Sequence, residues 1–266
     1  MPLSIISMKI SVITCTYNCA ATIGDAVNSI NDQIYSDLEH IVIDGASTEN
    51  VLEVIKIYSK GSTKVISEPD KGVYDALNKG IKQATGDVIG LLHSDDIFAS
   101  PQTIQNIAKL FSTESEFGNR PDVVYGDLVF VDYNDTNKVV RYWKSQPFKP
   151  SLLKRGWMPP HPTVFMRREV YEKHGLFNIN LKCAADYDYI LRVFSDKTLT
   201  VSYLPEVITK MRMGGISTGG IKNIINKSKE DYWILKNNHM QFPLWVLFAK
   251  NVSKIPQFIF RKHKTD

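Results

Sequence analysis

Asp95 and Asp96 stand side by side at the end of the stretch Gly90-Leu91-Leu92-His93-Ser94-Asp95-Asp96. Carboxylates placed together raise each other's pKa, so such a pair persists where a cation neutralises it. Hard cations such as Mg2+ and Mn2+ take oxygen ligands, commonly one or two carboxylates completed by the phosphate oxygens of a bound substrate. The pair therefore points to a divalent metal held jointly with a diphosphate. His93 is open to two readings, a further ligand or a packing group. The chain offers no other phosphate cradle: no Gly-x-Gly-x-x-Gly follows the first apolar run, and no Gly-x-x-x-x-Gly-Lys-Ser/Thr occurs anywhere.

The elements that must position this pair follow from periodicity. Short apolar runs at residues 10–14, 41–43, 64–67 and 88–92 alternate with helically spaced segments at 21–34, 51–58 and 73–84. Continuous apolar runs separated by amphipathic helices predict parallel strands covered on both faces, and such sheets bind ligands beyond the carboxyl ends of the strands. There the sequence puts Thr16-Tyr17-Asn18, Asp44, Glu68-Pro69-Asp70 and Asp95-Asp96. Each alone suits a cap or a turn; four together at one rim suit a binding site. In the second half, 122–132 and 139–143 read as strands joined by a polar turn, 169–174 and 186–194 as helices, and 199–210 as extended. The Gly-rich segment 214–220 reads as a loop and 221–238 as an amphipathic helix.

Of 266 residues, 43% are hydrophobic, enough for a substantial core. Thirty-two Lys and Arg against 28 Asp and Glu give +4, too small and dispersed an excess for nucleic-acid binding. Three scattered cysteines (Cys15, Cys19, Cys183) read as small thiols in a reducing compartment. Residues 1–10 read as the lead-in to a strand and not as a signal peptide. The apolar stretch 242–249 is far short of the ~20 residues a membrane span needs, so a soluble or peripheral protein is expected.

The quoted residues resemble the family-2 glycosyltransferases of GT-A fold. The match is carried by Ile10-Ser11-Val12-Ile13-Thr14-Cys15-Thr16-Tyr17-Asn18, Ile43-Asp44-Gly45-Ala46-Ser47-Thr48, the run Glu68-Pro69-Asp70-Lys71-Gly72-Val73-Tyr74-Asp75-Ala76-Leu77-Asn78-Lys79-Gly80, His93-Ser94-Asp95-Asp96 and Ala185-Asp186-Tyr187-Asp188. The resemblance implies an α/β fold with a Rossmann-like, mostly parallel sheet flanked by helices, an acceptor-side subregion and a C-terminal helical extension. Thr16, Tyr17, Asn18, Asp44 and Asp70 would line the nucleotide-sugar pocket. Asp96 would be the principal ligand of Mn2+ or Mg2+, with Asp95 shared between metal and ribose, and Asp186 would be the general base with Asp188 as the alternative. Arg212 is read either as a diphosphate clamp or as a surface Arg, and His161 as an acceptor-site residue or a turn residue. Three positions depart from the family pattern: Glu49 and Ala185 stand where Asp and Glu are common, and Leu77 where many members carry Arg.

The expected organisation is a glycosyltransferase domain over residues 1–220, its nucleotide half about 1–120 and its acceptor half about 121–220, followed by an amphipathic extension over 221–266. The resemblance is to bacterial enzymes that add β1,3-linked galactose or glucose to a GlcNAc- or GalNAc-diphosphate-undecaprenol carrier in O-antigen assembly. It implies a UDP-sugar donor and a lipid-linked saccharide acceptor. The aromatic and basic residues interleaved after Phe242 suit an anionic membrane surface, so a cytoplasmic protein peripheral on the inner membrane is expected; the alternative is a terminal helix packed on the domain. The rival functions are a sugar nucleotidyltransferase, which lacks its Gly-rich basic signature here, and a sugar-nucleotide-binding subunit without catalysis.

Overall fold

The computed structural model describes residues 8–59, 63–114, 118–214 and 220–252, with no side chains described at 220–225. The four apolar runs form strands β1 (Ile10–Thr16), β2 (Leu38–Asp44), β3 (Thr63–Ser67) and β4 (Val88–Leu91), alternating with helices α1 (Ile23–Asn31), α2 (Val51–Tyr58) and α3 (Val73–Gln83). All pairings within β3-β2-β1-β4 are parallel. Thr16 of β1, Asp44 of β2 and Ser67 of β3 align across the sheet. The strands therefore end together and deliver their following loops to one rim.

Beyond β4 the sheet changes direction. After β5 (Ile97–Phe98) and α4 (Thr103–Ser112) come β6 (Val123–Val131), β7 (Val139–Trp143), β8 (Phe165–Arg167), α5 (Arg168–His174), α6 (Ala185–Phe194) and β9 (Val201–Arg212). The order is β3-β2-β1-β4-β8-β6-β9-β5, with β7 also on β6. β8 runs antiparallel to both β4 and β6, while β6 and β9 are parallel. Helices α7 (Gly220–Asn237) and α8 (Pro243–Val252) complete the described chain.

Strand alternation splits the core into two faces. Ile10 and Val12 pack with α1, α2 and α4 on one side. Ile13 and Cys15 pack with α3, α5 and α6 on the other. At Gly80 an added Cβ would stand 2.3 Å from Ile13 Cγ2, so only glycine lets α3 lie this close to β1. The second face also takes in Ile234 and Leu235 of α7 and Val246 of α8. Gly156, at φ 68°, has no room for a side chain against Lys250 and the Val246 carbonyl of α8. The two C-terminal helices, expected as an extension, thus pack into the same core as α3, α5 and α6, because their inward residues carry apolar surface that the rest of that face covers.

Candidate active site

The loops after β1, β2 and β3 are knitted together by their polar residues. Asp44 is fully buried; its carboxylate accepts bonds from Ser47 N at 3.1 Å, Ser67 Oγ at 2.6 Å and the Ser47 hydroxyl. Asn18 adopts a left-handed φ of 51°, which its short polar side chain tolerates. Its Oδ1 accepts Thr48 N at 2.9 Å, and its own N–H donates to Ser47 Oγ at 2.9 Å. Asp70 accepts Gly72 N at 2.7 Å in front of α3 and lies beside the backbone of Gly45. The structure therefore gives Asn18 and Asp44 a scaffolding task at the rim. What faces outward is Tyr17, 57% exposed, while the hydroxyl of Thr16 is buried and without a partner.

The acidic pair is divided by its surroundings. Asp95 is partly exposed. Asp96 is fully buried, and neither carboxylate oxygen has a hydrogen-bond partner. Burial, then the neighbouring Asp95, pushes the Asp96 carboxyl well above the usual range, and the nearby Arg212 amide and guanidinium offset this only in part. Two orphaned carboxylate oxygens behind an accessible carboxylate fit a divalent cation. Among the described residues no group of three or more His, Cys, Asp and Glu is placed to hold a metal alone. A hard cation bound with a nucleotide takes one or two carboxylates and the phosphates, so Asp95 and Asp96 are a sufficient protein share.

Arg212, one of whose expected tasks was to clamp a diphosphate, is occupied elsewhere. It is buried at the end of β9, donating from Nε to Tyr133 O and from Nη1 to Asp95 O, both at 3.0 Å, and from Nη2 to the Asp25 carboxylate on α1. All three nitrogens are engaged, so the planar fork holds the backbone of the acidic loop in place. The Gly-rich loop that would close over it lies, from Gly215 to Gly219, outside the described residues.

Asp186 sits in the first turn of α6 and is not the helix cap: Ala184 holds that position, with no capping side chain. The Asp186 carboxylate instead accepts Tyr74 OH from α3 at 3.2 Å. Tyr74, stacked on Phe177 at 5.8 Å between centroids, went unassigned in the sequence although it stands within a quoted motif. Burial, then Asp186, pushes its phenol up, so it stays a neutral donor. His161 lies in a 3-10 turn (His161–Thr163), edge-on to Phe177 at 5.6 Å. Burial lowers its pKa to about 4, with Asp186 pulling up and His93 pushing down. Burial likewise lowers His93, against Asp95 and Asp186. The phenol of Tyr74 thus touches Asp186, and the two neutral imidazoles of His93 and His161 both feel its charge.

Asp188 does not join them. Two residues further on is about 200° around the helix, and its oxygens meet Arg192 Nε of α6 at 3.2 Å and Nδ2 of Asn238, just past α7, at 3.3 Å. The departures from the family pattern are also absorbed: Leu77 is core, and Glu49 accepts Ala20 N at 3.3 Å. The three cysteines are free thiols.

Comparison with known proteins adds to this geometry. The family model "Glycosyl transferase family 2" matches residues 11–175. A "PGL/p-HBAD biosynthesis glycosyltransferase" of Mycobacterium bovis is 30% identical over 211 residues, 78% of each chain. Among solved structures, S. aureus TarS 1-349 in complex with UDP-GlcNAc superimposes with a TM-score of 0.67 at 20% identity, covering 95% of this chain and 79% of that one. The mannosyltransferase PcManGT from Pyrobaculum calidifontis, in complex with GDP-Man and Mn2+, gives 0.63 at 18%, covering 94% and 71%. These likenesses show the GT-A fold.

Proposed function

This chain belongs to glycosyl transferase family 2, and from that premise we propose that it moves a hexose, galactose or glucose, from a UDP-sugar to a GlcNAc- or GalNAc-diphosphate-polyprenol acceptor, forming a β-linkage in O-antigen or other surface-polysaccharide assembly. The observation that carries the reading is the pair of partnerless carboxylate oxygens on buried Asp96, beside the partly exposed Asp95. A partly exposed carboxylate on α6 stands in the electrostatic neighbourhood of His93, three residues before the orphaned oxygens of Asp96.

In this reading Tyr17 faces the nucleotide and the buried, partnerless hydroxyl of Thr16 stands behind it, on a rim held by Asn18, Asp44 and Asp70. Asp95 and Asp96 would hold Mn2+ or Mg2+, Asp95 from the accessible side. That ion, when bound, stabilises the negative charge gathering on the leaving diphosphate. Asp186 takes the proton of the acceptor hydroxyl as its oxygen bonds to the anomeric carbon. The bond to the diphosphate breaks with its electron pair leaving on UDP, and the single displacement inverts the centre. Tyr74 donates to Oδ1 and fixes the carboxylate, leaving the other oxygen for the proton. General-base assistance of this kind is worth roughly 10²–10⁴-fold. His161, neutral and buried, borders the acceptor side.

The acceptor lipid accounts for the outer face of α8. Leu244, Trp245 and Phe248 are exposed there, as is Phe242 just before it; Phe258, Phe260, Lys254, Arg261, Lys262 and Lys264, read as the same surface, lie outside the described residues. No helix among the described residues is long and apolar enough to cross a membrane, so contact would be peripheral, at the cytoplasmic face. The test is UDP release from UDP-Gal, UDP-Glc and other UDP-hexoses with GlcNAc- and GalNAc-diphosphate-lipid acceptors and Mn2+. Turnover with one hexose, lost on chelation and lowered roughly 10²–10⁴-fold in Asp186→Asn, supports the reading. UDP binding without turnover in any pair points to a binding subunit, and near-normal turnover by Asp186→Asn removes Asp186 as the base.

A further inference from the structure

Helix α6 carries Asp186 but contains nothing to fasten its own beginning, since Ala184 offers no capping group. The fastening comes from far along the chain. Glu230 of α7 accepts the backbone N–H groups of Lys182, Cys183 and Ala184 at 2.8, 2.8 and 2.9 Å. One carboxylate thus gathers three successive amides, and its charge also suits the positive end of α6. The next residue, Asp231, receives Lys250 Nζ of α8 at 2.8 Å, and both side chains are buried. The same ammonium lies 3.2 Å from the centroid of the Tyr187 ring. Asn238 donates to Asp188 at 3.3 Å. Residues 184, 187 and 188, flanking Asp186, are each held by the C-terminal helix pair, while Asp186 itself is left to Tyr74 and the site.

We propose that Glu230 is a positioning residue for the base: through the three amides it sets where the first turn of α6 begins, and so where the Asp186 carboxylate lies against the acceptor hydroxyl. The proposal rests on Asp186 being the base. Reaction rates respond steeply to such placement, a displacement of about 1 Å costing on the order of 100-fold. Glu230 touches no reacting atom; it acts through the backbone.

The test compares Glu230→Gln, Asp186→Asn and the double variant in the full chain. The readouts are UDP release with whichever UDP-hexose turns over and amide hydrogen exchange. Glu230→Gln should lower kcat by about 10- to 100-fold, leave the donor KM within about twofold, and speed exchange at residues 182–188. In the Asp186→Asn background the same change should cost less than about twofold, because there is no base left to misplace. Equal losses in both backgrounds would mean a general structural role and overturn the proposal, as would an unchanged kcat or unchanged exchange. Failure of the base assignment shows separately, as normal turnover in the Asp186→Asn single variant. Should Glu230→Gln not fold, Glu230→Asp keeps the charge, retracts it by one methylene and carries the same expectations in milder form.

Discussion

Replacing His40 with Gln should make the protein less sensitive to acid. His40 lies on β2 between its two neighbours in the sheet, with Nδ1 3.0 Å from Thr63 Oγ1 on β3 and Nε2 3.1 Å from Thr14 Oγ1 on β1. Burial holds this imidazole neutral and lowers its pKa to about 3, against about 6.5 in an unfolded chain. Below about 6.5 the unfolded chain binds a proton here that the folded chain refuses, so stability falls as pH drops from there toward the folded value. Between pH 7.5 and 5.0 the loss is roughly 2 kcal/mol, a sizeable part of the ~5–15 kcal/mol that holds a domain together. His161, lowered by burial to about 4, adds a similar loss to both proteins and cancels in their difference. Burial pulls Glu39 up, but hydrogen bonds from Ser11, Thr85 and Lys9 outweigh it and hold the carboxyl at about 2. Its stabilisation is therefore lost only as pH falls below the ordinary carboxylate range, outside this window. Gln still offers a donor and an acceptor to the two threonines and does not titrate. Urea unfolding at pH 7.5, 6.5, 5.5 and 5.0 measures the comparison. The variant should lose about 2 kcal/mol less than the parent across that span; equal losses would refute the reasoning.

Arg212→Lys keeps the charge but cannot span three acceptors, so donor and Mn2+ affinity should fall together by about tenfold or more; calorimetric titration showing both unchanged would mean that Arg212 does not hold the acidic loop. Gly80→Ala puts a methyl 2.3 Å from Ile13 Cγ2, and the overpacking should cost about 1–3 kcal/mol in urea unfolding; a neutral result would mean that α3 can lift off β1. Trp245→Glu with Phe248→Glu should abolish sedimentation with anionic vesicles while leaving the melting temperature within a few degrees, because both rings are exposed; undiminished vesicle binding would remove α8 from the membrane proposal.

The parallel half of the sheet was legible because it is written locally: a strand-length apolar run and a helical period need only neighbouring residues. The convergence of Thr16, Asp44 and Asp70 followed from the rule that parallel strands present their carboxyl ends together. Long-range partners were not legible in this way. Arg212 meets Asp25 across 187 positions, and no spacing in the sequence encodes that meeting. Tyr74 stood in plain view within a recognised motif, but its partner Asp186 lies 112 residues on. The C-terminal stretch was legible only in part, for a different reason. Averaged over 242–264 it reads as aromatic and basic, yet Val246 and Lys250, four apart, share one face of α8 and are buried. Lys250, one of those basic residues, is half of an enclosed ion pair with Asp231.

The seat of Glu230, Asn238 and Lys250 bears on the order in which the enzyme comes into being. Ribosomes deliver a chain from its N-terminus, so β1 to β4 and the rim they build can be in place while α6 still begins unfastened. The residues that fasten it emerge after β9. In the function proposed above, a growing chain would hold its nucleotide rim before its base is placed, that placement waiting until synthesis has passed α8.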